Sequence, residues 1–105
     1  MDKNDAIKIA KKYINSISKK YHIENVILFG SFAKGTNNQD SDIDLAIIFK
    51  SIEDIIDLQI DLMCLRSDEH LLIEPHPFTK SDFKITNPLV NEILKNGIEI
   101  VNYAA

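Results

Sequence analysis

Cysteine is almost absent from this chain. Cys64 is the only one, which excludes a disulfide framework and a cysteine-based metal site. On a predicted helix, it reads as packing rather than as a nucleophile. No apolar run approaches transmembrane length. The N-terminus is polar and lysine-rich, without the apolar stretch of a leader peptide, so a cytoplasmic location is expected. No internal repeat or low-complexity segment stands out. Glycine and proline number three each, and each marks a break in the pattern below. At 105 residues a single domain over 1–105 is the ceiling. An apolar fraction of 45% allows one small core without cross-links.

Charge is unevenly spread. The net charge is −4, yet residues 1–22 hold six lysines against Asp2 and Asp5, a local +4 that leaves −8 for the rest. A basic first helix can face an anionic partner, but lysines opposite an apolar stripe read first as a solvated face. The acidic remainder argues against a general nucleic-acid surface.

The periodicity predicts a helix from Asp5 to about Lys20, with Ala6, Ala10, Tyr13, Ile14, Ile17 and Tyr21 on one face. His22 beyond it reads as a surface residue. Val26-Ile27-Leu28-Phe29 is a short apolar run that reads as a buried strand. Gly30-Ser31 ends it, a short helix over Phe32-Ala33-Lys34 follows, and Gly35 opens a polar turn through Asn37-Asn38-Gln39-Asp40. A second strand runs from Ile43 to Phe49. Ser51-Ile52-Glu53-Asp54 resembles a capping box, so a helix is expected to about Arg66. Its apolar band, Ile55, Ile56, Leu58, Ile60, Leu62, Met63 and Leu65, is wide enough either to cover much of the sheet or to meet a second chain. Leu71-Leu72-Ile73-Glu74 reads as a third strand, stopped by Pro75-His76-Pro77. Asn87-Pro88 starts a helix that Asn96-Gly97 ends, and Ile98–Val101 alternates as a last strand. Strands interleaved with helices predict an α/β fold, a small mixed β-sheet flanked by helices.

The chemistry is concentrated at the second strand. Ten residues separate Gly30-Ser31 from Asp42-Ile43-Asp44. A strand running into a helix N-terminus leaves backbone N–H groups and a positive dipole end that suit a phosphate. Side chains two apart on a strand share a face, so Asp42 and Asp44 are expected to point together. Magnesium takes oxygen ligands and commonly binds through one or two carboxylates plus substrate phosphates. Ser31 can donate to a phosphate oxygen or cap the short helix. Lys34 is a candidate phosphate contact, with a surface lysine as the plain alternative.

Gly30-Ser31-Phe32-Ala33-Lys34-Gly35 followed by Asp40-Ser41-Asp42-Ile43-Asp44-Leu45-Ala46-Ile47 resembles the signature of the polymerase-beta-like nucleotidyltransferase superfamily, in its minimal nucleotidyltransferase (MNT) branch. The resemblance runs over essentially the whole chain. It implies the nucleotidyltransferase fold, ATP as substrate and two Mg2+ ions held by Asp42, Asp44 and a third carboxylate. Nucleotide contacts would come from Gly30, Ser31 and Lys34. Family members often carry Arg where Lys34 stands, and Arg can bind phosphate in a bidentate way that Lys cannot. Glu74 lies where the family places its third acidic residue, more often Asp, and Asp82 is the next candidate. Glu74 follows a wholly apolar run, where an unpaired buried charge would be expensive. His76 is expected on the same side as Glu74 only if the strand continues through Pro75; the flanking prolines suggest a rigid edge instead.

Larger family members carry a second domain for the acceptor, and at 105 residues none is expected here. The missing wall would have to come from a partner chain, a homodimer or the target. Free-standing MNT proteins are commonly encoded beside a small helical HEPN protein, and the resemblance implies an MntA-type antitoxin that transfers AMP from ATP to a tyrosine of that HEPN toxin. The alternatives are a binding-only antitoxin without catalysis and a small-molecule enzyme similar to aminoglycoside-modifying nucleotidyltransferases. Membrane attachment and nucleic-acid polymerisation are not expected.

Overall fold

The protein is described here by a computed structural model covering residues 1–103. The first helix, α1 (Lys3–Ile17), starts two residues earlier than the periodicity suggests. The side chain of Asp2 accepts from the Asp5 N–H at 2.9 Å, and that of Asp5 accepts from the Asp2 N–H at 3.1 Å. This reciprocal cap satisfies two of the donors a helix start leaves unpaired. The helix stops at Ile17, short of Lys20, and buries Ala6, Ala10, Tyr13, Ile14 and Ile17. The six lysines of the first 22 residues are all exposed, as a solvated face requires.

Four strands form one sheet in the order β3-β2-β1-β4. β1 (Ile23–Phe29) lies antiparallel to β2 (Ile43–Phe49) and to β4 (Ile98–Asn102), while β2 and β3 (Ile73–Thr79) run parallel. The expected α/β fold with a small mixed sheet is what the chain adopts. One face, carrying Val26, Leu28, Ile43, Leu45 and Ile47, packs with α1, with α2 (Ser31–Lys34) and with Leu58 and Leu62 of α3 (Ile55–Cys64). The opposite face, with Ile27, Phe29, Ala46 and Ile48, meets Ile93 of α4 (Pro88–Asn96) and the rings of Phe78 and Phe83. Asn87 caps α4, its side chain accepting from the Leu89 N–H at 2.9 Å.

Three expectations change. The cap of α3 is Asp54, whose side chain accepts from the Ile56 and Asp57 N–H groups, and not a box built on Ser51. Only Leu58 and Leu62 of its apolar band are buried. Ile55, Ile56, Ile60 and Met63 stay 43–68% exposed, and Cys64 is exposed rather than packed. The helix therefore lies along the sheet edge instead of covering the sheet.

The third change is in β3, which begins at Ile73 and runs through both prolines to Thr79. Proline is tolerated there because β3 is an edge strand. Bonds to β2 use the even residues, as in the Ile43 N–H donating to Leu72 O and the Lys80 N–H donating to Phe49 O. The odd residues face outward. Gln59 Nε2 donates to Pro75 O at 3.0 Å and Arg66 donates to Ile73 O at 3.0 Å. The missing N–H groups of Pro75 and Pro77 thus fall on the side where β2 needs none.

Candidate active site

Register assembles the site. Phe29, the last residue of β1, pairs with Asp44 near the start of β2, and Asp44 pairs with Glu74 near the start of β3. Registered neighbours on parallel strands present their side chains to the same face, so Asp44 and Glu74 stand side by side. His76 follows two residues on, opposite Ala46 and on that same face. Its Nε2 lies 3.2 Å from Asp44 Oδ1, and its ring meets Phe29 edge-on at 5.0 Å. One donor atom each from Asp44, Glu74 and His76 lies within 4.8 Å of the others. Two carboxylates and an imidazole at this spacing fit a divalent cation.

Gly30 makes room for the group. It adopts φ 76°, ψ −152° between β1 and α2, a region essentially reserved for glycine. A Cβ added there would overlap Asp44 Oδ2, so the carboxylate rests in the space a side chain would fill. Gly30 also caps α2 by backbone alone. Ser31 is consequently the first helical residue and not the cap, and no side-chain hydrogen bond caps the start of α2. Gly35 ends that helix at φ 78°. The connecting loop is held by Asp40 N–H donating to Asn38 Oδ1 and Asn38 N–H donating to Ser41 Oγ.

The expected residues are distributed unevenly. Asp44 and Glu74 come together. Asp42 is not part of their group: it is exposed and immediately precedes the first residue of β2. Glu74 is exposed, and the expectation that a metal must relieve a buried charge does not apply. Lys34 turns toward α4, its Nζ 2.5 Å from Glu92 Oε1. That contact holds the Glu92 carboxyl below its ordinary range. Asp82 lies past the end of β3, its N–H donating to Thr79 Oγ1. His76 is the residue that reading Pro75-His76-Pro77 as a stop obscured; its spacing from Glu74 repeats the Asp42–Asp44 spacing. A cavity of about 530 Å³ opens at the far end of β2, between Phe49, Tyr21 and Leu58, away from these groups.

No helix among the described residues is long and apolar enough to cross a membrane. The family pattern of the polymerase beta nucleotidyltransferases matches residues 11–104. A Methanocaldococcus jannaschii protein named "Putative protein adenylyltransferase" is 31% identical over 99 residues, 91% of this chain and 96% of that one. A second protein of that name from the same organism is 42% identical over 43 residues, 39% of this chain and 43% of its own. Among solved structures, a "putative nucleotidyltransferase" from Sulfolobus solfataricus superposes with a TM-score of 0.71 at 18% identity, covering 95% of this chain and 83% of that one. A chain of a toxin–antitoxin crystallised with AMP-PNP superposes at 0.57 with 21% identity, covering 97% and 74%. These two likenesses speak for the fold. Sequence pattern, register and fold agree, and this chain is a member of the polymerase beta nucleotidyltransferase family.

Proposed function

We propose that this protein transfers AMP from ATP to a hydroxyl group of a partner protein, and that the partner is a HEPN-type toxin silenced by the transfer to a tyrosine. The observation that carries the reading is the in-register pair Asp44–Glu74 at the strand ends beside the Gly30 turn. The named relative that spans nine-tenths of this chain favours a protein acceptor over a small molecule. The toxin–antitoxin fold neighbour favours an antitoxin role, and the cytoplasm is where such a role would be exercised.

In the transfer, the acceptor oxygen attacks the α-phosphorus of ATP and a new O–P bond forms. The bond from the α-phosphorus to the bridging oxygen breaks, pyrophosphate leaves with the electron pair, and the acceptor proton is released. Asp42, Asp44 and Glu74 would hold Mg2+, two ions by the family's pattern. When bound, Mg2+ offsets charge on the phosphates and orients them. Glu74, at the outer side of the pair, is suited to the acceptor side, where a carboxylate can take the proton. Gly30 and Ser31 would offer backbone N–H groups to the phosphates. Lys34 would reach them by exchanging Glu92 for a phosphate oxygen.

The test is intact mass measurement of a genomically adjacent HEPN protein after incubation with this protein, ATP and Mg2+. One or more AMP additions are expected, and none with Asp42→Asn or Asp44→Asn. Addition undiminished by both substitutions would remove these carboxylates from the site. A stable complex without any mass change would identify a binding-only antitoxin instead.

A further inference from the structure

We propose that His76 is a direct metal ligand, so that Asp44, Glu74 and His76 form a mixed carboxylate–imidazole position that favours first-row transition ions such as Mn2+ or Co2+ over Mg2+. The donor atoms already stand together, within 4.8 Å of one another. Donors about 2.1 Å from a common ion are separated by roughly 3 Å when adjacent and about 4.2 Å when opposite. Side-chain adjustment alone closes that difference. The imidazole is also held in place. Pro75 and Pro77 lock φ on both sides of it, Ala46 pairs with it across the sheet, and Phe29 bounds the ring at 5.0 Å. The side chains of His76 and Asp44 are 30% and 24% exposed, open enough for an ion to enter.

The choice of ion follows from the donors. Magnesium demands oxygen ligands and keeps several waters. A nitrogen donor contributes little to it and much to ions further along the Irving–Williams order. Asp42, outside this group, remains available with Asp44 for a second, oxygen-bound ion at the phosphates. The other role open to His76 is to orient Asp44 through their 3.2 Å contact. A positioning residue would support every ion alike, and that difference makes the two roles separable.

The proposal rests on the reading of this centre as metal-dependent, but it is tested by binding, so a failed search for the AMP acceptor leaves it untouched. Co2+ and Mg2+ are titrated by calorimetry into the full chain and into His76→Ala, with thermal unfolding as the check on folding. We expect Co2+ to bind wild type at least about tenfold more tightly than Mg2+, and His76→Ala to lose about tenfold or more for Co2+ but under about twofold for Mg2+. The second measurement needs no variant. In wild-type protein with 15N-labelled histidines and Co2+, the His76 ring should carry the large contact shift and broadening of a metal-bonded nitrogen, while exposed His22 and buried His70 should show only the smaller through-space shifts. Equal losses for both ions, no loss for either, or a His76 ring with only a through-space shift and no contact shift overturns the proposal.

Discussion

Gly30→Ala tests the packing that holds Asp44. Two effects act on the methyl group. The backbone at φ 76°, ψ −152° lies where a non-glycine residue carries about 1–3 kcal/mol of strain. The new Cβ would also meet Asp44 Oδ2 closer than folded proteins allow, so the carboxylate must swing away. Strain alone predicts a melting temperature lower by about 5–20 °C, at roughly 4–8 °C per kcal/mol for a domain near this size. Calorimetric melting of Gly30→Ala, Asp44→Ala and the double variant separates the terms. Removing the carboxylate relieves the clash but not the backbone strain. The double variant should therefore lose less stability than the sum of the single ones, by roughly 0.5–3 kcal/mol. A melting temperature unchanged in Gly30→Ala would refute the strain. Additivity within about 0.5 kcal/mol would refute the contact between Gly30 and Asp44.

Tyr13→Phe should cost about 1–3 kcal/mol in urea unfolding, because the buried Tyr13 hydroxyl donates to Leu62 O at 2.6 Å and its loss orphans that carbonyl. Burial raises the Tyr13 pKa, so ionisation of this group is disfavoured in the fold and stability should fall as strongly alkaline conditions ionise the unfolded tyrosine. Glu92→Gln should lower the KM for ATP in a transfer assay with kcat unchanged, since it frees Lys34 from its ion pair; an unchanged KM would take Lys34 out of the nucleotide site. Hydrogen bonds from Lys20 and Tyr21 hold the Asp61 carboxyl below its ordinary range. A depressed carboxylate adds stability above its unfolded pKa, near 4, and loses it as pH falls through the lower folded value. Asp61→Asn should therefore flatten the loss of urea stability between about pH 5 and 2, and an unchanged acid limb would contradict it.

Much of the fold was legible from local pattern. Apolar runs bounded by Gly30 and Gly97 marked β1 and β4, and Asn87-Pro88 marked α4, because caps and turns are short-range events that one stretch of chain decides. Errors arose where the deciding partner was distant. Pro75 and Pro77 look like stops until β3 is known to be an edge strand. Cys64 looks like core until α3 is seen to lie along that edge with one narrow stripe inward. Of the acidic pair, Asp44 lies within β2 and Asp42 just before it.

Residue identity and spacing alone determined that the chain forms an interleaved α/β domain with a glycine turn ten residues before an acidic pair, because periodicity and turn chemistry are written along the chain. Tertiary structure decided which donors meet. The parallel register of β2 with β3 sets Glu74 beside Asp44 across 30 residues of sequence and draws in His76. Glu92, on a helix 58 residues after Lys34, takes the lysine's charge. Such pairings depend on strand order and register, which the whole core selects, and no local spacing specifies them.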